Sequence, residues 1–322
     1  MTDDAIPAHE LPIATRAPGK CVVFGEHSVV HGGPELLFAV DLFVQLGGRP
    51  AAKARLNADP EAPQRNPYLR EALGRLWAGG PPLELTTTSQ IPRAAGLGSS
   101  AAFVCDLAAA LAAARGGIPR ARLAELAFEI ERAAQGVGSP GDTSAVTAGG
   151  FISINAERGE ELWRLTDGER HWTVRRVPTP AWVWVVAYSG VPRNTGQTVR
   201  AVGRRLAEPD GPELLERFRR VTLDGIDAVG REDRSEAGRL LNENQKLLRE
   251  VGVSHPRLER LIEAALPCSE GAKLTGAGAG GSIVALPKAG RELEAARRIA
   301  HAGGVPYVVH ASPDGARVVG AV

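Results

Sequence analysis

Apolar and polar residues along the first third of the chain follow patterns that predict strands joined by turns. β-Branched residues flank Gly25 in CVVFGEHSVVHGG and stop at Gly32 and Gly33, which predicts a strand, a turn and a second strand. A further strand is expected at 36–46. Three prolines with polar neighbours favour a loop at 57–67, and the segment LELTTTSQIP predicts another strand.

Helical spacing begins near residue 99. The segment from Ser99 to about Ala114 contains good helix formers and few polar residues, so its helix should be largely buried. In 120–135, five apolar residues form one helical stripe: Leu123, Leu126, Ala127, Ile130 and Ala134. Glu131 lies roughly 80° from the centre of that stripe, on the border between core and solvent. A carboxylate facing a cleft would occupy such a position.

The second half of the chain predicts a mixture of helices and strands. VGSPGDTSAVTAGGFISIN predicts a connection leading to a strand, and AWVWVVAYSG predicts a strong strand followed by a turn. Helices are expected from about 195 and at 212–230, 235–251, 256–266 and 290–302. In AKLTGAGAGGSIVAL, strands are expected on both sides of the glycine turn, and two short strands are expected at the end of the chain. The fold class is therefore α+β. Two domains are expected, at 1–178 and 179–322.

Composition narrows the class of partner. The chain has 322 residues, 43% hydrophobic and 23% charged, with a net charge of +1, so neither nucleic acid nor an anionic membrane is expected as a partner. The acidic N-terminus does not resemble a secretory signal, and no stretch approaches the length of a membrane span. Three widely spaced cysteines fit reduced thiols in a cytoplasmic protein. A small-molecule substrate is the default expectation.

Lysine is scarce in this chain. Of 38 basic residues only five are lysines, so a lysine within a motif suggests a role that arginine cannot fill. They are Lys20, Lys53, Lys246, Lys273 and Lys288.

Two glycine-rich loops are candidate ligand contacts. In IPRAAGLGSSAAF, small residues precede a helix start, where backbone N–H groups could surround a phosphate; a tight turn capped by Ser99 or Ser100 explains the pattern equally well. The second loop contains G-x-G-x-x-G at Gly276, Gly278 and Gly281, but a strand follows it, which excludes the dinucleotide-binding reading. Six consecutive Gly or Ala residues there exceed the need of a hairpin and favour ligand contact.

Phosphoryl transfer would explain several charged residues together. It requires amides around phosphates, a hydroxyl and a carboxylate for Mg²⁺, an acid–base group and a cation. Lys20 at a strand, Asp142 beside a glycine and Glu131 supply these types. Singly, each has an ordinary structural explanation, as a solvated strand end, a turn residue and a surface carboxylate. Jointly they favour a kinase.

With these residues in view, the sequence resembles the GHMP kinase superfamily, and within it the mevalonate kinases. The resemblance is carried by APGKCVVFGEHSVVHG, AAGLGSSAAF, AFEIERAAQGVGSPGD and AKLTGAGAGGSIVAL, supported by SGVPRNT and LNENQKLLREVGVSH. It runs from about Ala17 to Leu286. It implies a two-domain GHMP kinase fold, ribosomal protein S5 domain 2-like at the N-terminus and ferredoxin-like at the C-terminus, and ATP-dependent phosphorylation of the primary hydroxyl of mevalonate to 5-phosphomevalonate in the cytoplasm.

The resemblance also implies roles for individual residues. Asp142 and Lys20 match the catalytic aspartate and lysine, and Ser100 and Glu131 match the Mg²⁺ ligands. The residues expected to bind ATP are Ala94, Ala95, Gly96, Leu97, Gly98, Ser99 and Ser100. Those expected to line the substrate pocket are Glu26, His27, Thr195 and Gly278. A homodimer is compatible with the resemblance.

The sequence departs from the family pattern at a few positions. Ala94 and Ala279 stand where the family usually has glycine, and Ser282 replaces a small residue or cysteine. Phe43, Val44 and Phe103 would make the substrate pocket more apolar if they line it. Two alternatives therefore stay open at the level of sequence: a kinase for phosphomevalonate, homoserine or a sugar, and a nucleotide-binding regulator without chemistry.

Overall fold

The structure is a computed structural model that describes residues 5–92, 94–136, 138–192 and 195–320, with the exception of the side chain of Thr195. The strands are β1 Ala5–Ile6, β2 Ile13–Phe24, β3 Glu35–Pro50, β4 Arg55–Leu56, β5 Leu83–Ser89, β6 Ile118–Pro119, β7 Phe151–Ile154, β8 Glu160–Asp167, β9 Arg170–Val177, β10 Val183–Tyr188, β11 Ser269–Thr275, β12 Ser282–Pro287, β13 Val305–His310 and β14 Arg317–Gly320. The helices are α1 Ala62–Arg65, α2 Pro67–Leu76, α3 Ser99–Ala113, α4 Arg120–Gln135, α5 Gly141–Ala148, α6 Thr195–Leu206, α7 Gly211–Gly230, α8 Arg234–Glu250, α9 Pro256–Ala265 and α10 Glu292–His301.

Two larger sheets organise the fold. The first has the strand order β14-β2-β3-β7-β9-β8, with β5 added to β3 and β4 to β5. Its two longest strands, β2 and β3, pair antiparallel with Lys20 opposite Ala39. The second sheet is antiparallel in the order β11-β12-β10-β13. The predicted α+β class is confirmed.

Helix α3 forms the centre of the first core. Twelve of its fifteen residues are buried, and it packs on β2 and β3 and against α4 and α5. Alanine is the commonest residue in this helix, so its backbone can approach several neighbours at once without losing helix propensity. The sequence predicted both the position and the burial of this helix.

Helix α8 covers β11, which is an edge strand of the second sheet. The Asn242 side chain accepts a hydrogen bond from the N–H of Ala272 at 3.1 Å, and the Gln245 side chain accepts one from the N–H of Leu274 at 2.9 Å. A Cβ on Gly271 would lie 2.0 Å from the carbonyl oxygen of Gly238, so glycine is required at this crossing. The two amide side chains therefore satisfy backbone N–H groups of β11 that would otherwise be free to pair with another strand.

Several local predictions differ from the structure. Residues 28–31 form a 3₁₀ turn instead of a strand, because the Ser28 hydroxyl hydrogen-bonds to the carbonyl oxygens of Gly25 and Pro34 and closes the chain on itself. Helix α5 lies in a segment interpreted as a connection. The loop predicted at 57–67 contains the short helix α1 and leads directly into α2.

Strand β14 lies in the first sheet, although it follows the strands of the second sheet in the chain. Strand β10 begins the second sheet at Val183, but β14 returns to the first sheet and pairs antiparallel with β2, Arg317 lying opposite Arg16. Residues 317–320 therefore belong to the sheet built by the N-terminal part of the chain. Among the helices that the structure describes, none has the length and apolar character needed to cross a membrane.

Candidate active site

Lys20 and Asp142 form a close ion pair where β2 meets the start of α5. The Lys20 Nζ lies 2.9 Å from Asp142 Oδ1; the lysine side chain is 2% exposed and the aspartate side chain 33%. Asp142 lies in the first turn of α5, where a negative charge is stabilised by the helix dipole. The ammonium is therefore held beneath a carboxylate that remains open to a ligand.

The first glycine loop packs directly on Lys20. The backbone N–H of Lys20 donates to the carbonyl oxygen of Leu97 at 3.0 Å, and a Cβ on Gly98 would lie 2.6 Å from Lys20 Cγ. Gly98 has a φ of 76°, which a glycine adopts without strain. The loop thus needs glycine for both its conformation and its approach to the lysine.

The same loop leads into the N-terminus of α3. Gly98 is the N-cap residue and, as a glycine, has no side chain with which to cap the first turn. Backbone N–H groups at a helix start without a capping side chain bind anions well, and the helix dipole adds to the attraction. Ala94 and Gly96 also have positive φ values, of 56° and 86°, and Ala95 and Leu97 are buried. The predicted phosphate loop therefore has the geometry of an anion site.

Ser100 and Glu131 meet beside this loop. The Ser100 hydroxyl donates to Glu131 Oε1 at 2.9 Å, and the Gln135 amide donates to the same oxygen at 2.9 Å. Burial, reinforced by the charge of Asp142, raises the pKa of Glu131 to about 7. Glu131 is half-buried, as its position at the edge of the helical stripe predicted.

A hydroxyl and a carboxylate are suitable donors for Mg²⁺, which usually takes its remaining ligands from water and substrate phosphates. Among the described residues no group of three or more His, Cys, Asp or Glu side chains could hold a metal by itself. An ion at Ser100 and Glu131 would therefore depend on phosphate oxygens, as in a kinase.

Glu26 forms an ion pair that the sequence did not indicate. Its Oε1 accepts a hydrogen bond from Lys273 Nζ, and the side chains are 1% and 0% exposed. Burial raises the pKa of Glu26, while the Lys273 ammonium opposes that rise. The carboxylate expected in the substrate pocket therefore lies below the surface, joined to β11.

Strand β11 and the loop after it hold the end of β2 through further contacts. The Thr275 hydroxyl donates to the carbonyl oxygen of Val22 at 2.8 Å and lies 3.1 Å from the Val22 N–H. His27 Nε2 lies 3.0 Å from the carbonyl oxygen of Ala277. The two sheets are thus connected directly behind Lys20, and His27 is held close to the second glycine loop.

The second glycine loop has a packing explanation. Gly278 has a φ of 78°, and a Cβ there would lie 2.4 Å from the carbonyl oxygen of Val253. The N–H of Ala279 donates to that same oxygen at 2.7 Å. The Ser282 hydroxyl donates to the carbonyl oxygen of Ala95 at 2.7 Å, so the strand after this loop contacts the phosphate loop.

The structure brings together Lys20, Asp142, Ser100 and Glu131 around one loop. Two other candidate residues lie wholly or partly outside the part of the chain that the structure describes. Thr195 begins α6, but its side chain lies outside the described residues. Arg193, which the sequence offers as a candidate cation for a phosphorylated substrate such as phosphomevalonate, also lies outside them. Sequence reasoning missed Lys273 as a partner, although the scarcity of lysine was a signal that could have found it.

Comparisons with known proteins agree with this geometry. The family model described as GHMP kinases N terminal domain matches residues 67–150, and the one described as GHMP kinases C terminal matches residues 226–305. A mevalonate kinase of Pyrococcus furiosus is 30% identical over 96% of this chain and 98% of its own. A mevalonate kinase of Archaeoglobus fulgidus is 32% identical over 84% of this chain and 91% of its own.

Solved structures show the same fold. The crystal structure of L. major mevalonate kinase in complex with R-mevalonate has a TM-score of 0.78 at 21% identity, covering 96% of this chain and 99% of that one. Family models match both halves of the chain, and the structure groups the residues that the motifs supply: Lys20, Asp142, Ser100 and Glu131. The chain therefore belongs to the GHMP kinase family.

Proposed function

We propose that the protein transfers the γ-phosphoryl group of ATP to the primary hydroxyl of mevalonate, producing 5-phosphomevalonate. The buried Lys20 ammonium paired with a half-open Asp142 carboxylate, next to a phosphate-type loop, is the observation that carries the proposal. The mevalonate kinases at 30% and 32% identity over most of the chain support the choice of substrate.

Each residue of the site has a role in this reaction. The amides of 96–99 would hold the ATP phosphates at the start of α3, and Ser100 with Glu131 would hold Mg²⁺. Mg²⁺, when bound, neutralises phosphate charge. Asp142 orients the substrate hydroxyl and takes its proton as the new bond to phosphorus forms. Lys20 holds Asp142 in place through their ion pair and offsets negative charge on the transferred group.

Three positions departing from the family pattern bear on substrate choice. Val44 is 3% exposed and packs in the core, so it does not line a pocket. Phe43 is half-buried and its ring lies 4.6 Å from the Arg16 guanidinium, while Phe103 is half-buried on α3 one turn after the phosphate loop. The two rings are therefore the positions to vary when specificity is mapped.

The first test is coupled ADP release with MgATP and four alcohols: mevalonate, phosphomevalonate, homoserine and galactose. We expect turnover with mevalonate to exceed that with the others. Preference for another alcohol would keep the kinase and change its substrate. Tight ATP binding with no ADP release from any of them would overturn the reaction and favour a regulator.

The second test is Asp142→Asn. It should reduce turnover by about 10²–10⁴-fold, because the group that receives the hydroxyl proton is lost, while calorimetry still detects ATP binding. Asp106→Asn is the matched control, since Asp106 is a fully buried aspartate on a different helix, α3. Unchanged turnover in Asp142→Asn would contradict the assigned role.

Location and assembly complete the proposal. All three cysteines are buried free thiols, which suits the reducing cytoplasm. A homodimer is part of the proposal as well, and light scattering on the purified chain tests it.

A further inference from the structure

Glu35 is a buried carboxyl that the proposed reaction leaves unassigned. It is the first residue of β3 and is 5% exposed. Its Oε2 is fully buried and makes no hydrogen bond to any of the residues that the structure describes. A buried carboxyl oxygen without a hydrogen bond lowers the free energy of unfolding by about 1–3 kcal/mol or more, so a role other than stability is expected for Glu35.

The Glu35 carboxyl lies against the turn that carries Asp142. A Cβ on Gly141 would be 2.5 Å from Glu35 Oε2, so the carboxyl occupies the space beside this glycine, the residue directly before Asp142. Gly141 is also the first residue of α5. Glu35 therefore helps to define where α5 begins and where Asp142 points.

Four charged groups surround Glu35, and with it they make up what we call the buried charge cluster: Lys20 on β2, Glu26 after β2, Asp142 on α5 and Lys273 on β11. Lys273 is paired with Glu26 and Lys20 with Asp142. Glu35 is the third carboxyl beside two cations, so the cluster is electrically balanced only when Glu35 carries a proton.

The groups around Glu35 favour the protonated form of its carboxyl. Burial and then the charge of Asp142 raise the pKa of Glu35 well above its usual range, and Glu26 adds to the rise. Lys20 and Lys273 act in the opposite direction, but each already has its own carboxylate. These surroundings therefore favour the neutral acid form of Glu35, in contact with the turn that carries Asp142.

We propose that Glu35 is a positioning residue for the phosphoryl transfer: as a neutral acid packed on Gly141, it leaves the Lys20 ammonium to Asp142 alone. This inference rests on the proposed function. A second carboxylate at this position would compete with Asp142 for the Lys20 ammonium, and Asp142 would then lose the cation that holds it in place as the acceptor for the substrate hydroxyl proton.

The test compares the pH dependence of kcat and of kcat/KM for mevalonate in the wild type and in Glu35→Gln. The amide keeps the size and the neutral charge but cannot ionise. We expect kcat at pH 7 to fall by about threefold, because the amide does not reproduce the contact that the Glu35 carboxylic acid makes with Gly141. In the wild type, we expect ionisation of Glu35 to lower kcat at high pH. Glu35→Gln cannot ionise, so this alkaline decline in kcat should move up by at least about one pH unit.

Asp106→Asn is the control, because it removes another buried acid with a raised pKa that faces Thr15 instead of the catalytic turn. Its pH profile should match that of the wild type. If Glu35→Gln does not fold, Glu35→Met fills the same space without polar atoms and should show the same displaced decline.

A purely structural role for Glu35 would change stability and leave the pH profile in place. An alkaline decline at the same pH in the wild type and in Glu35→Gln therefore overturns the inference while the proposed function stands. A wild type without mevalonate-dependent ADP release instead removes the proposed function, and this inference with it.

Discussion

The ion pair between Lys273 and Glu26 offers a direct test of how the two halves of the molecule are joined. The residues are 247 positions apart, and both side chains are nearly inaccessible. The second Glu26 oxygen, Oε2, is buried and has no hydrogen-bond partner within the described part of the chain. Lys273→Met fills most of the lysine volume and removes its charge. It leaves the Glu26 carboxylate buried with no cation of its own.

The expected loss follows from that burial. Removing one partner of a buried pair costs about 3–5 kcal/mol, because the remaining charge has neither water nor a counter-ion. Replacing both partners, as in Glu26→Gln with Lys273→Met, removes the uncompensated charge. We expect the double variant to recover about 2 kcal/mol or more relative to the sum of the two single variants.

Urea unfolding followed by both tryptophan fluorescence and circular dichroism measures these changes. Coincident transitions from the two probes are needed before a free energy of unfolding is assigned. The exposed pair of Lys246 and Glu243, with side chains 65% and 36% accessible, is the matched control, and its removal should cost less than about 1 kcal/mol. Additive losses in the Lys273 and Glu26 cycle would refute the reasoning.

Two further predictions concern backbone strain and buried charge. Ala279 has a φ of 56°, so Ala279→Gly should raise the free energy of unfolding by about 0.5–1 kcal/mol, while Ala277→Gly in the same loop should lower it; a loss of stability in Ala279→Gly would contradict this. Burial raises the pKa of Asp106 well above its usual range, so the folded protein keeps a proton that the unfolded chain releases near pH 4. Asp106 therefore lowers the free energy of unfolding by up to about 1.4 kcal/mol per unit as pH rises above about 4, in addition to the effect of the other buried carboxyls. Asp106→Asn should lack this one contribution, so the stability difference between the wild type and the variant should change with pH, and parallel stability curves would contradict the prediction.

Local pattern was sufficient for much of the fold. The helices at 99–113 and 120–135 follow from helix propensity and from one apolar stripe, and both occur where expected. The same stripe placed Glu131 at the border of the core, where it meets Ser100. These features depend on neighbours within a few residues, so the sequence expresses them directly.

Helix α5 shows where local pattern was insufficient. Its residues GDTSAVTA include glycine, serine and threonine, which are poor helix formers, yet seven of the eight are buried. Packing against α3, α4 and the first sheet stabilises this helix, and that packing places Asp142 over Lys20. Periodicity could not reveal it, because the stabilising contacts come from distant segments.

The sequence by itself determined the α+β class, the main helices and the glycine loops, and its resemblance indicated Lys20, Asp142, Ser100 and Glu131 as candidate site residues. Only the tertiary structure decided which charges pair in the interior: Lys273 with Glu26, and Glu35 against Gly141. It also decided that β14 returns to β2. The physical reason is that the free energy of a buried charge depends on what surrounds it in space, and those surroundings come from parts of the chain that no local pattern connects.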